Sequence, residues 1–133
     1  MENQKAEHQP GTEEHAFPEG MRAQLAKTED FNVIANVFHQ LGDPKRVCIF
    51  WILCHCEECV VNLSEMMNMS SPAVSHHLRS LRTSGLLVSR REGKEVYYRA
   101  ADTPQSQLLH QMIEMVMQIA CPEERADSAE EDA

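Results

Sequence analysis

The stretch SSPAVSHHLRSLR, residues 70–82, decides how this sequence folds. Val74, Leu78 and Leu81 are spaced by four and three residues, which places them on one face of a helix. Ser71 followed by proline matches the N-cap residue and the first position of a helix. The stretch therefore predicts an amphipathic helix that begins at Ser71 and buries one apolar face.

The opposite face of this helix carries hydroxyl, imidazole and guanidinium groups, which can reach base edges and phosphates in the major groove of DNA. Two short apolar runs, residues 86–88 and 96–98, flank the basic segment 90–94 with a glycine at its tip and predict a β-hairpin. Cations on such a hairpin would lie against the DNA backbone beside the helix. The predicted DNA contacts are Ser71, Ser75, His76, His77, Arg79, Arg82, Arg90, Arg91 and Lys94.

Four further helices surround this unit in the sequence. Thr28, Asp43 and Thr103 each stand before a run with helical apolar spacing, and the last two are followed by proline. Asn62 and Glu65 resemble a capping box for a short helix, which a tight Met-Ser-Ser turn joins to the helix at 71. The order predicts a mainly α fold with a small β-hairpin wing, that is, a winged helix-turn-helix.

Charge is unevenly distributed along the chain. The formal net charge of the 133 residues is −9, which by itself argues against binding to a polyanion. Residues 70–101, however, hold six basic and two acidic side chains, and the acids concentrate at the two ends. We expect a flexible acidic N-terminal arm (1–27), a DNA-binding and dimerisation domain (28–121) and a disordered acidic tail (122–133).

The sequence contains no apolar run long enough to cross a bilayer and no signal-peptide pattern, so we expect a cytoplasmic protein without a membrane partner. It also lacks a nucleophile–base–acid set and a glycine-rich phosphate loop, so we expect neither an enzyme nor an organic cofactor. In a reducing compartment, its five cysteines favour metal binding or redox sensing over structural disulfides. Cys48 and Trp51, which lie among apolar residues, are expected to pack in the core.

The segment CHCEEC places Cys54, Cys56 and Cys59 within six residues at the end of a predicted helix. Three thiolates can converge on one soft cation if the backbone leaves the helix there. The expected ions are Cd(II), Pb(II), Zn(II) or As(III), which accept thiolate ligands. The alternative is a redox response, in which two of these cysteines form a disulfide that changes DNA binding.

Residues 73–98 (AVSHHLRSLRTSGLLVSRREGKEVYY) and 41–53 (LGDPKRVCIFWIL) resemble the recognition helix with its wing, and the second helix, of the ArsR/SmtB metalloregulators. The resemblance extends over about residues 31–121. It implies a homodimer formed by the first and last helices. It further implies that the metal-free dimer represses an operator in double-stranded DNA and that metal binding releases it.

The same resemblance bears on the ligands. Cys59 stands where thiol-sensing members carry the first cysteine of a CxC motif, but Val61 stands at the second position. Because some members bring an N-terminal arm to the thiol site, His8 or His15 could supply a further ligand, and so could Cys121 at the end of the last helix. The coordination set is therefore left open between these residues.

A second metal site of the resembled family lies on the last helix, and this sequence lacks most of it. Asp102 matches one ligand position, while Pro104, Met115 and Gln118 stand at the others. We therefore expect that site to be absent and His110 to be an ordinary packed or solvated helix residue.

Overall fold

A computed structural model describes residues 18–25 and 27–121 of the chain. The acidic tail and nearly all of the N-terminal arm, including His8 and His15, lie outside these residues. The chain divides into two compact units, one up to Asn36 and one from Val37 onwards. In the first unit, a cavity is lined mainly by Met21, Leu25 and Phe31 with their neighbours.

Helices predominate, as the sequence predicts. In chain order, the elements are α1 (Met21–Leu25), α2 (Thr28–Gln40), α3 (Pro44–His55), β1 (Glu58–Cys59), α4 (Val60–Met67), α5 (Ser71–Thr83), β2 (Leu87–Glu92), β3 (Glu95–Ala100) and α6 (Pro104–Ala120). In the described ranges, no helix combines the length and apolar character needed to cross a membrane. The α4–α5 pair followed by the β2–β3 hairpin confirms the predicted winged helix-turn-helix.

The helix starts follow the capping residues of the sequence, with one shift. The Asp43 carboxylate accepts two backbone N–H bonds of 2.9 Å at the start of α3, and the Thr103 hydroxyl accepts one of 3.2 Å at the start of α6. At α5 the predicted cap was wrong by one residue, because Ser70 and not Ser71 is the N-cap. Its hydroxyl accepts from the backbone of Ala73 at 3.3 Å. Proline is tolerated one position further in, since its missing N–H would have had no helical partner there.

The predicted capping box at Asn62 and Glu65 is wrong. Helix α4 begins earlier, with Cys59 as an N-cap that makes no side-chain capping bond. The Asn62 amide instead donates to the Glu58 carboxylate at 2.8 Å. Glu58 and Cys59 form strand β1 within the CHCEEC segment, and the helix follows that strand directly.

The core lies between α5 and the elements around it. Val74, Leu78 and Leu81 are each at most 1% exposed. The apolar side chains buried with them are Ile49, Phe50, Ile52, Leu53, Leu63, Leu86, Leu87 and Leu109. Burial of each large side chain contributes about 1.5–3 kcal/mol, so this face of α5 cannot easily turn towards solvent. Its other face is consequently held outwards.

The wing is part of a three-stranded antiparallel sheet with the strand order β1–β3–β2. The predicted loop over residues 90–94 is too long, because Arg90 and Arg91 lie within β2. The turn contains only Gly93 and Lys94, and the positive φ of 65° at Gly93 suits a two-residue hairpin turn with glycine first.

His77 lies on the buried side of α5, three residues after Val74, and its exposure is 9%. The Arg46 side chain donates through Nε to Nδ1 of His77 at 3.2 Å, and Asp43 lies 4.0 Å from Nε2. Burial lowers the pKa of His77 despite the opposing effect of the Asp43 carboxylate. The ring therefore joins α3 to α5 in its neutral form.

This environment predicts a pH-dependent contribution to stability. Because the pKa of His77 is lower in the folded than in the unfolded chain, its contribution is present above about pH 6.5 and is lost as the pH falls below that value and through the lower folded pKa. The difference in unfolding free energy between the wild type and His77→Gln should shrink between about pH 7 and pH 5 in urea titrations. A constant difference for His77→Gln would contradict the assignment.

Candidate nucleic-acid interface and metal ligands

The outward face of α5 carries the polar residues that the sequence assigned to DNA contact. Ser75, Arg79 and Arg82 follow one another at four and three residues and so form one stripe along the helix. His76 is exposed beside this stripe, and Ser71 is exposed at the start of the helix. His77 does not join them, because it is buried against α3. The face thus presents two guanidinium groups, an imidazole and hydroxyl groups on a rigid element.

A cleft lies between α5 and the sheet, lined by Ser75, Arg79, Arg82, Thr83 and Tyr98. Two cations and three hydroxyl groups around one opening make a suitable environment for an anionic oxygen. Thr83 and Tyr98 were not predicted as part of the interface. The sequence placed Tyr98 on a strand, but only the fold shows that it lines a cleft together with residues of this helix.

The four basic residues Arg79, Arg82, Arg91 and Lys94 are exposed and make no ion pair with any residue that the structure describes. Their charge is therefore not neutralised by that part of the chain. Arg91 and Lys94 lie at the hairpin end of the wing. This combination gives an otherwise acidic protein a local cationic surface.

Arg90 is held differently from its neighbours. Its Nε and Nη2 atoms donate to the two carboxylate oxygens of Glu57 at 2.9 and 2.8 Å, and Nη1 pairs with Glu92. The guanidinium also lies 5.1 Å above the ring of Tyr97. Because Glu57 belongs to the CHCEEC segment, this two-point ion pair connects the cysteine-containing loop to the wing.

The three clustered cysteines have different environments. Cys59 is buried in β1, Cys54 is half-buried near the end of α3, and Cys56 is exposed and donates from Sγ to the Ile52 carbonyl at 3.5 Å. In the described chain, the sulfur atoms of these three cysteines are not all within 4.8 Å of one another. Rearrangement of the loop, or ligands from elsewhere, would be needed for them to bind one ion.

The surroundings of Cys54 and Cys56 also oppose the formation of thiolates, because they raise the pKa values of both thiols. Burial, aided by the charge of Glu114, raises the pKa of Cys54 to about 11. Burial and the nearby Glu58 carboxylate raise the pKa of Cys56 as well. A soft cation would have to displace these protons.

The other cysteines lie apart from the loop in sequence. Cys48 is half-buried against the core, as expected. Cys121, the possible further ligand, is exposed at the end of α6 and lines an apolar groove with Phe38 and Val47.

A different group of possible ligands is assembled between the end of α3 and the middle of α6. Nε2 of His55, Nε2 of His110 and Oε2 of Glu114 lie within 4.8 Å of one another, the one such three-residue group within residues 18–25 and 27–121. The Trp51 indole donates to Oε2 of Glu114 at 2.7 Å and, with the two imidazoles, lowers the pKa of Glu114. The expectations of an ordinary His110 and a purely structural Trp51 therefore missed this cluster.

The sequence offered a partial signal for it, because His110 and Glu114 are four residues apart on one helix face. The third ligand comes from α3, 55 residues earlier in the chain than His110. Only the packing of α3 against α6 brings these residues together.

Comparisons with known proteins agree with this architecture. The family described as "Bacterial regulatory protein, arsR family" matches residues 43–89, from the start of α3 into β2. The chain is 44% identical over 69 residues to a transcriptional repressor SmtB homolog of Synechocystis, a match that covers 52% of each protein. It is 40% identical over 86 residues to a cadmium resistance regulatory protein CadC homolog of Staphylococcus aureus, covering 64% of this chain and 70% of the relative.

Solved structures show the same fold. NolR from Sinorhizobium fredii superposes with a TM-score of 0.62 at 26% identity, covering 71% of this chain and 90% of NolR. A homodimeric winged helix-turn-helix domain from Mycobacterium bovis gives a TM-score of 0.60 at 26% identity, covering 77% and 90%. With the staphylococcal relative matched over more than two thirds of its length, the chain belongs to the arsR family of bacterial regulatory proteins, which are DNA-binding regulators and not enzymes.

Proposed function

We propose that this protein is a transcriptional repressor that binds operator DNA as a homodimer in the cytoplasm and is released when a thiophilic metal or metalloid ion binds at its cysteine loop. The observation that carries the DNA-binding part is the cationic surface formed by α5 and the wing, where four exposed basic side chains have no acidic partner in the described chain. Phosphates of DNA would neutralise these charges on binding.

Helix α5 would enter the major groove with the stripe of Ser75, Arg79 and Arg82. Arginine can donate two hydrogen bonds to one guanine, whereas serine and histidine can bond to bases or phosphates. Thr83 and Tyr98, which share a cleft with these residues, would donate hydroxyl hydrogen bonds to a backbone phosphate. Arg91 and Lys94 on the wing would contact the backbone, while Arg90, already bound by two carboxylates, would position the wing instead of binding DNA.

The homodimer is supported by an apolar stripe on α6. Leu108, Met115, Val116 and Ile119 are between 55% and 77% exposed, although they are large apolar side chains on one face of the helix. A second copy of the chain would remove this surface from water. The domain from Mycobacterium bovis, which shares the fold and is homodimeric, also supports a homodimer.

The signal is proposed to act through the cysteine loop because that loop is built into the wing. Strand β1 pairs with β3, so that Cys59 lies opposite Tyr97, and Glu57 binds Arg90 of β2. If a soft ion draws Cys54, Cys56 and Cys59 together, the loop must move, and these contacts transmit the movement to the wing. His15 or Cys121 could complete the coordination.

The names of two relatives support the proposal that the inducer is a thiophilic metal or metalloid ion. One relative is called a cadmium resistance regulatory protein, and another, from Pseudomonas putida, is an arsenic resistance transcriptional regulator that is 36% identical over 84 residues. The ions proposed for this chain are therefore Cd(II), Pb(II), Zn(II) or As(III). The redox alternative is favoured by the exposure of Cys56 but opposed by its raised pKa, which lowers the thiolate fraction that oxidants attack.

Replacement of Arg79 by glutamine should weaken binding to the operator by about 1–3 kcal/mol, since a two-point contact to a base would be lost. Arg91→Gln should weaken binding to all sequences equally and reduce the salt dependence of log K by about two units, since each protomer of the dimer loses one phosphate contact. Fluorescence anisotropy at several salt concentrations measures both effects. Lys27→Gln, which removes the same charge from a residue that belongs to neither α5 nor the wing, is the control, and equal losses in all three variants would contradict the interface.

Replacement of Ile119 by glutamate should dissociate the dimer, because it places a charge in the proposed apolar interface. Sedimentation velocity should show a monomer, and operator affinity should fall with it. Gln118→Glu adds the same charge off the stripe and should remain dimeric. A dimeric Ile119→Glu variant would contradict the role of α6.

Replacement of Cys56 and Cys59 by serine should abolish the release of operator DNA by Cd(II) or arsenite without abolishing DNA binding in a chelator. Cys48→Ala, which alters a thiol in the core, should respond as the wild type does. Glu57→Gln should still bind the ion but release DNA less, because its link to Arg90 is weakened. Release by peroxide in the presence of a chelator, with no effect of the ions, would favour the redox alternative.

A further inference from the structure

We infer that His55, His110 and Glu114 form a second ion site, separate in its chemistry from the thiols, which binds a borderline divalent cation such as Zn²⁺ or Co²⁺. The site lies where the end of α3 packs against α6, within one chain. It uses no thiol, and it goes beyond the proposed function because it does not depend on DNA binding.

The geometry of the three atoms matches one face of a coordination tetrahedron. The two Nε2 atoms are 3.3 Å apart, and each is 3.4 Å from Oε2 of Glu114. Ligands bound to zinc at about 2.0–2.1 Å in a tetrahedron are separated by about 3.3–3.4 Å. All three separations therefore suit a single ion placed between the atoms.

Hydrogen bonds among His55, His110 and Glu114 would satisfy these three polar groups poorly. A neutral imidazole has only one N–H, and N–H···O bonds in proteins are usually about 2.9–3.0 Å long. Here both imidazole–carboxylate separations are 3.4 Å, and the two ring nitrogens face each other with the carboxylate oxygen beside them. Three electron-pair donors that lie this close together are better satisfied by a cation.

Trp51 orients this cluster in the way that outer contacts orient metal ligands. Its indole N–H donates to Oε2 of Glu114 at 2.7 Å, which fixes the carboxylate, and its ring lies 4.6 Å from that of His55. The His55 and His110 rings meet edge to face at 4.9 Å. Such supporting contacts strengthen metal binding.

The site is also open to an incoming ion. The side chains of His55, His110 and Glu114 are 48%, 29% and 31% exposed, so solvent can reach the cluster and supply the remaining ligand. On α6, His110 and Glu114 lie on the flank opposite the apolar stripe of Leu108, Met115 and Ile119. Dimerisation through that stripe would leave the site accessible.

The donor set predicts which ions are preferred. Two imidazoles and one carboxylate with an open position are a ligand set found in zinc sites, whereas soft ions prefer thiolates. We therefore expect Zn²⁺ and Co²⁺ to bind here, and arsenite to be excluded. Because α6 carries both these ligands and the proposed dimer interface, occupancy would join the end of α3 to the helix that holds the dimer.

The test is a Co²⁺ titration of the full-length reduced protein without DNA, in the Cys54→Ser/Cys56→Ser/Cys59→Ser background so that no thiol of the loop competes. Visible d–d absorption should report one Co²⁺ per chain, without sulfur charge-transfer bands, and Zn²⁺ should displace it. Trp51→Phe should weaken binding by about 10- to 100-fold. His110→Gln and Glu114→Gln should weaken it at least as much, whereas the matched control His39→Gln should bind as the parent does.

Circular dichroism of each variant shows whether it is folded. Unchanged Co²⁺ affinity in folded His110→Gln and Glu114→Gln, or thiolate charge-transfer bands in the spectrum, would overturn the site. Failure of operator binding would contradict the proposed function but not this inference, since the titration contains no DNA.

Discussion

The burial of Val74, Leu78 and Leu81 of α5 against α3 and α4 determines how the rest of the molecule can work. Since these side chains are at most 1% exposed, α5 cannot rotate without exposing them, and its arginine-bearing face is held towards solvent. Leu86 and Leu87, at the start of β2, belong to the same core cluster. The position of the wing beside the recognition surface thus follows from the same core.

The basic residues of the wing are of two kinds, those that are paired with carboxylates and those that are not. Arg90 is bound by two carboxylates and joins the wing to the CHCEEC segment. Arg91 and Lys94 have no acidic partner in the part of the chain that the structure describes and remain available to an outside anion. Arg90 therefore has a structural role and Arg91 a proposed binding role. The two neighbours can differ in this way because successive side chains of a strand point to opposite faces of the sheet.

The end of α3 carries two kinds of possible metal ligand, the imidazole of His55 and the thiols of the CHCEEC segment. His55 turns towards α6 and meets His110 and Glu114, whereas Cys56 and Cys59 continue into the loop and β1. Nitrogen and oxygen donors are already convergent in this structure, while the sulfur donors are not. The nitrogen–oxygen site therefore needs little rearrangement to bind an ion. Binding at the thiols would require the cysteine loop to move, and that movement could act as the signal.

Local patterns in the sequence were sufficient for the fold class, for the helices begun by Asp43 and Thr103, and for the outward stripe of Ser75, Arg79 and Arg82. Helical periodicity, capping and turn chemistry act between residues a few positions apart, so they can be seen without the fold. The burial of His77, the pairing of β1 with β3, the capture of Arg90 by Glu57 and the cluster of His55 with His110 could not be seen in this way. These contacts join residues more than 30 positions apart, and only the packing of helices and strands decides which of them meet.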